Sequence, residues 1–131
     1  MEENEIAKAV VQAAFEIHTE LGPGLLESVY EVLLWDLLKR RGFAVERQRS
    51  IPIVFRGMRF DEGFRADLIV NEKVLVEMKS VEALANLHKK QVLTYLRLTG
   101  LRLGLLINFN CALIKDGIKR VANGLPDAPP E

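Results

Sequence analysis

Hydrophobic positions follow a helical period at the start of the chain, alternate between residues 45 and 80, and then return to a helical period. Apolar residues recur every three to four positions from Glu5 to Leu21, which predicts an amphipathic helix. Gly22-Pro23 is a helix stop signal, and a second helix is predicted from Gly24 to Arg41. The sequence L-G-P-G therefore predicts a corner between two helices.

The following segment, Val45 to Phe60, is strand-like throughout. Pro52 lies in its middle, and because proline cannot donate a ladder hydrogen bond, it indicates a sheet edge or a bulge. Arg56-Gly57 indicates a turn. We therefore expect a strand that lies at a sheet edge or contains a bulge, followed by a turn.

A central hairpin is predicted from Asp61 to Ser80, with a turn at residues 71–73. With an odd loop, paired residues have numbers that sum to 144, so Asp67 lies opposite Glu77. One face is then wholly apolar: Ala66, Leu68, Val70, Val74, Val76 and Met78. The other face carries Arg65, Asp67, Glu77 and Lys79 together with Ile69 and Leu75. An even loop would mix the two sets, which the pleat penalises.

A third helix is predicted from Leu84 to Thr99, closed by Gly100. Its expected core-facing stripe contains an amide among apolar and aromatic residues: Leu84, Leu87, Gln91, Tyr95 and Leu98. A buried amide needs partners, so Gln91 either bonds a strand backbone group or orients a carboxylate or a substrate phosphate. Leu93 and Leu96 lie on the opposite side, which suggests a second packing surface and a homodimer.

The last elements are an apolar strand at Leu103 to Phe109 and a two-residue hairpin at Asp116-Gly117 within Ala112 to Val121. The length of 131 residues fits a single domain, residues 1–123, followed by a flexible tail, residues 124–131. No apolar run approaches the roughly 18 residues of a membrane span, and the acidic start lacks a signal-peptide pattern. We expect a cytoplasmic protein without a membrane partner.

Charge and cysteine content narrow the chemistry. The formal net charge is zero, so bulk electrostatics does not indicate a nucleic-acid binder, and a single cysteine excludes an internal disulfide and a cysteine zinc site. Two basic clusters are compatible with a phosphate-contacting rim or with a solvated surface. They comprise Lys39, Arg40, Arg41, Arg47 and Arg49, and then Lys89, Lys90 and Arg97.

The facing carboxylates of Asp67 and Glu77 beside Lys79 have two interpretations. They form either a solvated charge pair worth about 0–1 kcal/mol or a site for a divalent metal that activates water against a phosphodiester. Ile69 and Leu75 on the same face indicate that helices cover it, and half-buried carboxylates need a cation or a proton. On the second helix, Glu27 either favours the helix dipole or belongs to the same site.

The order Asp67, Glu77-Met78-Lys79, then Gln91 to Tyr95 resembles the signature of the PD-(D/E)XK nuclease superfamily. Gln-x-x-x-Tyr on the helix looks like its RecB/Cas4-like branch. Residues 24–30, G-L-L-E-S-V-Y, match the G-x-x-E-x-x-Y pattern that names a small bacterial family of that superfamily. The resemblance covers roughly residues 5–122 and implies a restriction-endonuclease-like α/β fold. That fold has an αβββαβ core, here with an added N-terminal helix and a C-terminal hairpin strand, and a mixed central sheet flanked by helices.

By the same resemblance, Asp67 and Glu77 would bind Mg²⁺ or Mn²⁺ with Glu27 as the helix carboxylate. Lys79 would orient the attacking water or offset phosphate charge, and Gln91 and Tyr95 would shape the site. The implied activity is hydrolysis of DNA, with RNA as the less favoured substrate. The alternative is a catalytically silent module of the same fold that binds nucleic acid or a protein partner.

Overall fold

The computed structural model describes residues 1–126. Its elements, in chain order, are α1 (Glu3–Leu21), α2 (Glu27–Arg40), β1 (Val45–Phe55), β2 (Met58–Val70), β3 (Val74–Lys79), α3 (Asn86–Thr99), β4 (Leu103–Asn108), a 3₁₀ turn (Ile114–Gly117) and β5 (Ile118–Ala122). The succession α2-β1-β2-β3-α3-β4 is the predicted αβββαβ core. The additional elements are α1 before it and β5 after it, so the fold class predicted from the sequence is confirmed.

The five strands form one mixed sheet in the order β1-β2-β3-β4-β5. All neighbours are antiparallel except β3 and β4, which are parallel and are connected by α3. Helices α1 and α2 pack on one face of the sheet, and α3 packs on the other. Each face of the sheet thus has its own hydrophobic core.

The register of the central hairpin follows the odd-loop prediction, since Leu68 pairs with Val76 and Val70 pairs with Val74. Five of the six residues predicted for the apolar face lie in the core beneath α1 and α2. Ala66 is the exception, because it is buried in the core beneath α3. Leu68 is the first residue of β2 that pairs with β3, so the residues before it in the chain do not follow the alternation of the paired segment.

Edge strand β1 also agrees with the sequence prediction. It lies at the border of the sheet, and its register with β2 shifts between Ile51 and Ile53, around Pro52. Arg56 and Gly57 form the turn, with φ angles of 48° and 82°. A proline is accommodated at this position because an edge strand has one side without a ladder.

The predicted core-facing stripe of α3 is wrong in part. Leu84 and Tyr95 pack against the core beneath α3. The buried residues of α3 are Val92 and Leu96, whereas Leu87 is 72% exposed and Leu98 is 42% exposed. Gly104 of β4 explains the contact, because a Cβ at this position would lie 2.7 Å from Val92 Cγ1. The missing side chain allows α3 to approach the sheet along the Val92 side of the helix.

Two inferences drawn from the predicted α3 stripe are corrected as a result. The Gln91 amide is exposed rather than buried, and Leu96 is fully buried, with Leu93 packed against the same core. The side of α3 that suggested a homodimer is therefore the side that packs on the sheet.

The predicted two-residue hairpin at Asp116-Gly117 does not form. These residues lie in the 3₁₀ turn, and β5 reaches its antiparallel partner β4 through a longer connection. Ile114 is buried in the α1–α2 core, so this segment packs inward instead of pairing. Leu125 packs against the same core, while residues 127–131 of the predicted tail lie outside the described residues.

Within residues 1–126, no helix has the length and apolar character to cross a membrane.

Candidate functional site

The backbone pairing between β2 and β3 does not include Asp67 and Glu77. Here the two carboxylates accept hydrogen bonds from backbone N–H groups instead. The backbone N–H of Asp67 donates to Glu77 Oε1 at 3.1 Å. The backbone N–H of Met78 donates to Asp67 Oδ2 at 3.0 Å. Each side chain thus caps an amide of the other strand, which fixes two carboxylates next to each other at the point where the strands separate.

A third carboxylate joins them from α2. Glu31 is 5% exposed, and its Oε1 accepts a hydrogen bond from Gln48 Nε2 at 2.6 Å. The same Gln48 nitrogen donates to Asp67 Oδ1 at 3.1 Å. Gln48 has a φ of 51°, although the β1–β2 register is the same on either side of it. We call Glu31, Asp67 and Glu77 the carboxylate cluster.

Burial and mutual repulsion perturb the carboxylate cluster. Burial, followed by the negative charge of Asp67, raises the pKa of Glu77 to about 9, and the positive charge of Lys79 opposes this shift. Burial is also the main reason that the pKa of Glu31 is raised, against hydrogen bonds from Gln48 and Arg47. Glu77 therefore keeps its proton at neutral pH, because its protein partners do not offset the burial of a further negative charge.

An open cleft of about 610 Å³ lies between the end of β3 and α3. Its lining includes three more of the site residues predicted from the sequence, Lys79, Gln91 and Tyr95. The Tyr95 ring stacks on Phe64, with centroids 3.8 Å apart and planes within 5°. Burial raises the pKa of Tyr95, and the negative charges of Glu77 and Asp67 add to the shift, so the cleft adjoins the carboxylate cluster.

Glu27 contacts the loop that follows β3. Its Oε1 accepts the backbone N–H of Ser80 at 3.1 Å, and Ser80 Oγ donates to the carbonyl of Leu25 at 2.9 Å. These bonds attach the loop after β3 to the start of α2. The helix carboxylate that reaches Asp67 through Gln48 is Glu31, one helical turn further on.

Tyr30, the last residue of the G-x-x-E-x-x-Y stretch, is fully buried. Its hydroxyl donates to the carbonyl of Gly22 at 2.7 Å and accepts the N–H of Leu25 at 3.1 Å. Its ring stacks on Phe109, with centroids 4.3 Å apart. This stretch therefore fixes the corner between α1 and α2 and the loop after β3.

Both histidines contact backbone groups. His18 Nε2 is 2.7 Å from the carbonyl oxygen of Cys111, and His88 Nδ1 accepts the N–H of Ala85 at the start of α3.

The first basic cluster is largely paired with carboxylates: Arg40 with Asp36, Arg41 with Glu16, Arg47 with Glu31, and Arg49 with Glu72. In the second cluster, Lys90 lines the cleft beside Lys79.

Glu31 and Gln48 were not identified from the sequence. Glu31 stands within the apolar face of α2, one turn after Glu27, and an acid in that position is a detectable signal. Gln48 opposes Asp67 across β1 and β2, but this becomes apparent only once the register of that pair is known.

The donor atoms of the carboxylate cluster suit a hard divalent cation, since Mg²⁺ and Mn²⁺ prefer carboxylate oxygens. In the described part of the chain, no three His, Cys, Asp or Glu side chains are already arranged around a common metal position. The Gln48 amide holds one oxygen each of Glu31 and Asp67. An ion bound to those oxygens requires Gln48 to turn away.

Comparison with known proteins gives one match. A family model described as the PD-(D/E)XK nuclease superfamily matches residues 4–121. No curated protein and no solved structure matches the chain significantly. The matched range begins within α1 and ends within β5, so it includes the whole carboxylate cluster and the cleft.

Proposed function

Since the chain belongs to the PD-(D/E)XK nuclease superfamily, we propose that it is a divalent-metal-dependent nuclease that hydrolyses phosphodiester bonds in DNA, with RNA as the second candidate substrate. Within the superfamily we propose the G-x-x-E-x-x-Y family of the RecB/Cas4-like branch. The observation that carries the proposal is the position of the carboxylate cluster, which lies where two strands separate and beside a cleft lined by Lys79.

Asp67 and Glu77 would hold Mg²⁺ or Mn²⁺, and we assign the third carboxylate to Glu31 in place of Glu27. The raised pKa values of Glu77 and Glu31 support this assignment, because a cation relieves the repulsion among the carboxylates. Such an ion activates water at neutral pH and stabilises charge on the phosphoryl oxygens. Gln48 would keep the carboxylates apart until the ion replaces its amide.

Lys79 would act on the phosphate. Its charge acts on Glu77, and its side chain lines the cleft, so its ammonium can lie beside a phosphate held next to the cluster. A compact ammonium stabilises negative charge that develops on the phosphate oxygens. Gln91 and Tyr95 line the same cleft and can donate hydrogen bonds to the phosphate or position it. Lys90 adds positive charge at this cleft.

The test is a cleavage assay with labelled single-stranded and double-stranded DNA and RNA. Each substrate is incubated with Mg²⁺, Mn²⁺ or a chelator. We expect cutting with metal only, and a loss of about 100-fold or more in Asp67→Asn. Asp61→Asn is the matched control, because Asp61 lies on the same strand and its side chain is 92% exposed. Cutting in chelator, or parental activity in Asp67→Asn, would refute the metal site. Binding without any cutting would leave a catalytically silent module.

A further inference from the structure

Strands β1 and β2 continue well beyond the part of the sheet that pairs with β3. Residues 53–60 form a two-stranded hairpin in which Ile53 pairs with Phe60, Val54 with Arg59, and Phe55 with Met58. We call this segment the arm. Its tip is the turn at Arg56-Gly57, where both residues have positive φ as a two-residue hairpin turn requires. The arm is thus a regular structure and not a loop.

One face of the arm is apolar and exposed. Cross-strand partners share a face, so Ile53, Phe55, Met58 and Phe60 lie together, while Val54 and Arg59 lie on the reverse. Phe55 and Met58 are each 63% exposed, and Phe60 is 54% exposed. A contiguous exposed apolar patch marks an interaction site, because water contact with it is unfavourable.

Strand β2 connects the arm to the cleft. Ile51 pairs with Phe64, and the β1–β2 register shifts by two residues before the Ile53–Phe60 pair. The Phe64 ring stacks on Tyr95, which lines the cleft. The same strand therefore carries the exposed face of the arm at one end and reaches the cleft further along.

The cation at the tip of the arm suits a polyanion with planar groups. The Arg56 guanidinium lies 5.1 Å from the Phe55 ring centroid, so a cation stands beside an aromatic surface. This pairing suits an unpaired base next to its phosphate.

From these observations we propose that the arm binds single-stranded nucleic acid. Phe55 and Phe60 stack on unpaired bases, Arg56 contacts a phosphate, and the bound strand continues towards the carboxylate cluster. Asp67 lies nine positions after Met58, a span of up to about 30 Å at strand spacing. The arm therefore binds the strand several nucleotides away from the phosphate at the cluster. This inference rests on the proposed function.

The test measures binding of labelled single-stranded DNA, single-stranded RNA and blunt duplex DNA by fluorescence anisotropy, in chelator so that nothing is cut. Phe55→Ala and Phe60→Ala are each expected to weaken single-strand binding by about 5- to 150-fold, and Phe55→Trp to retain it. The matched control is Val54→Ala, which removes an exposed apolar side chain from the reverse face. We expect this control to bind like the parent, and we expect the duplex to respond weakly to all four variants.

Equal binding by the parent and both alanine variants would overturn the proposal, as would an equal loss in Val54→Ala. Sedimentation of each protein tests the remaining explanation, which is that the arm is a contact between two copies of the chain. If the parent is a dimer that Phe55→Ala dissociates without weakening oligonucleotide binding, the arm is a contact between two copies and the proposal is refuted. Parental cleavage that depends on Asp67 but not on the arm would refute this inference and leave the proposed nuclease function standing.

Discussion

Replacing Glu77 with glutamine should stabilise the metal-free protein at neutral pH and above. The pKa of Glu77 is raised from 4.5 to about 9, chiefly by burial. The folded protein therefore keeps a proton that the unfolded chain releases, and its stability falls as pH rises from about 4.5 towards 9. At about 1.4 kcal/mol per pH unit, the parent loses about 3 kcal/mol between pH 4.5 and 7 from this group alone. A glutamine does not titrate, so the variant avoids this loss.

Denaturant unfolding in chelator, at intervals from pH 4 to pH 9, measures the effect. We expect the free energies of unfolding of parent and Glu77→Gln to diverge with rising pH and to approach each other below about pH 4.5. Glu82→Gln, an exposed carboxyl just beyond β3, should follow the parent at every pH. Added Mg²⁺ should stabilise the parent more than Glu77→Gln, because the ion binds the folded state through this carboxylate. Parallel pH profiles for parent and Glu77→Gln would show that Glu77 titrates normally, and would refute the reasoning.

Three further predictions concern the cleft, the cluster and the corner. Lys79→Ala should abolish cleavage, while its affinities for metal and nucleic acid stay near those of the parent. Single-turnover assays would measure the loss of cleavage, and anisotropy would measure the retained binding. Lys79→Arg should not restore activity. Calorimetry should show that Glu31→Gln weakens Mn²⁺ binding more than Glu27→Gln does, since the Glu27 carboxylate contacts a backbone amide outside the cluster. Equal losses would return Glu27 to the site. Tyr30→Phe should lower the free energy of unfolding by about 1–3 kcal/mol, because it leaves two backbone groups without their partner; an unchanged melting curve would contradict that role.

The alternation of residues 61–80 was sufficient to predict the central hairpin and its register. Side chains alternate across a strand, and a one-residue slip would have moved Ile69 and Leu75 among the opposite set. The odd loop at residues 71–73 follows from that alternation, and it brings the strand positions of Asp67 and Glu77 together. Pro52 and Arg56-Gly57 likewise determine local structure by the backbone geometry that they permit. These features could be predicted because each depends on residues close together in the chain.

Tertiary structure alone decided which polar side chains join the pair. Gln48 lies 17 residues after Glu31 and 19 residues before Asp67, and its contact with both depends on how α2 and β1 pack on the sheet. The helical period gives the angular positions of side chains around a helix. It does not show which side of the helix packs on the sheet. For α3 that choice was made by Gly104, a residue of another element, whose missing side chain admits Val92 and leaves Gln91 exposed at the cleft. Contacts of this kind depend on shape complementarity between segments that are distant in the chain. The sequence of one segment alone does not show which other segment it fits.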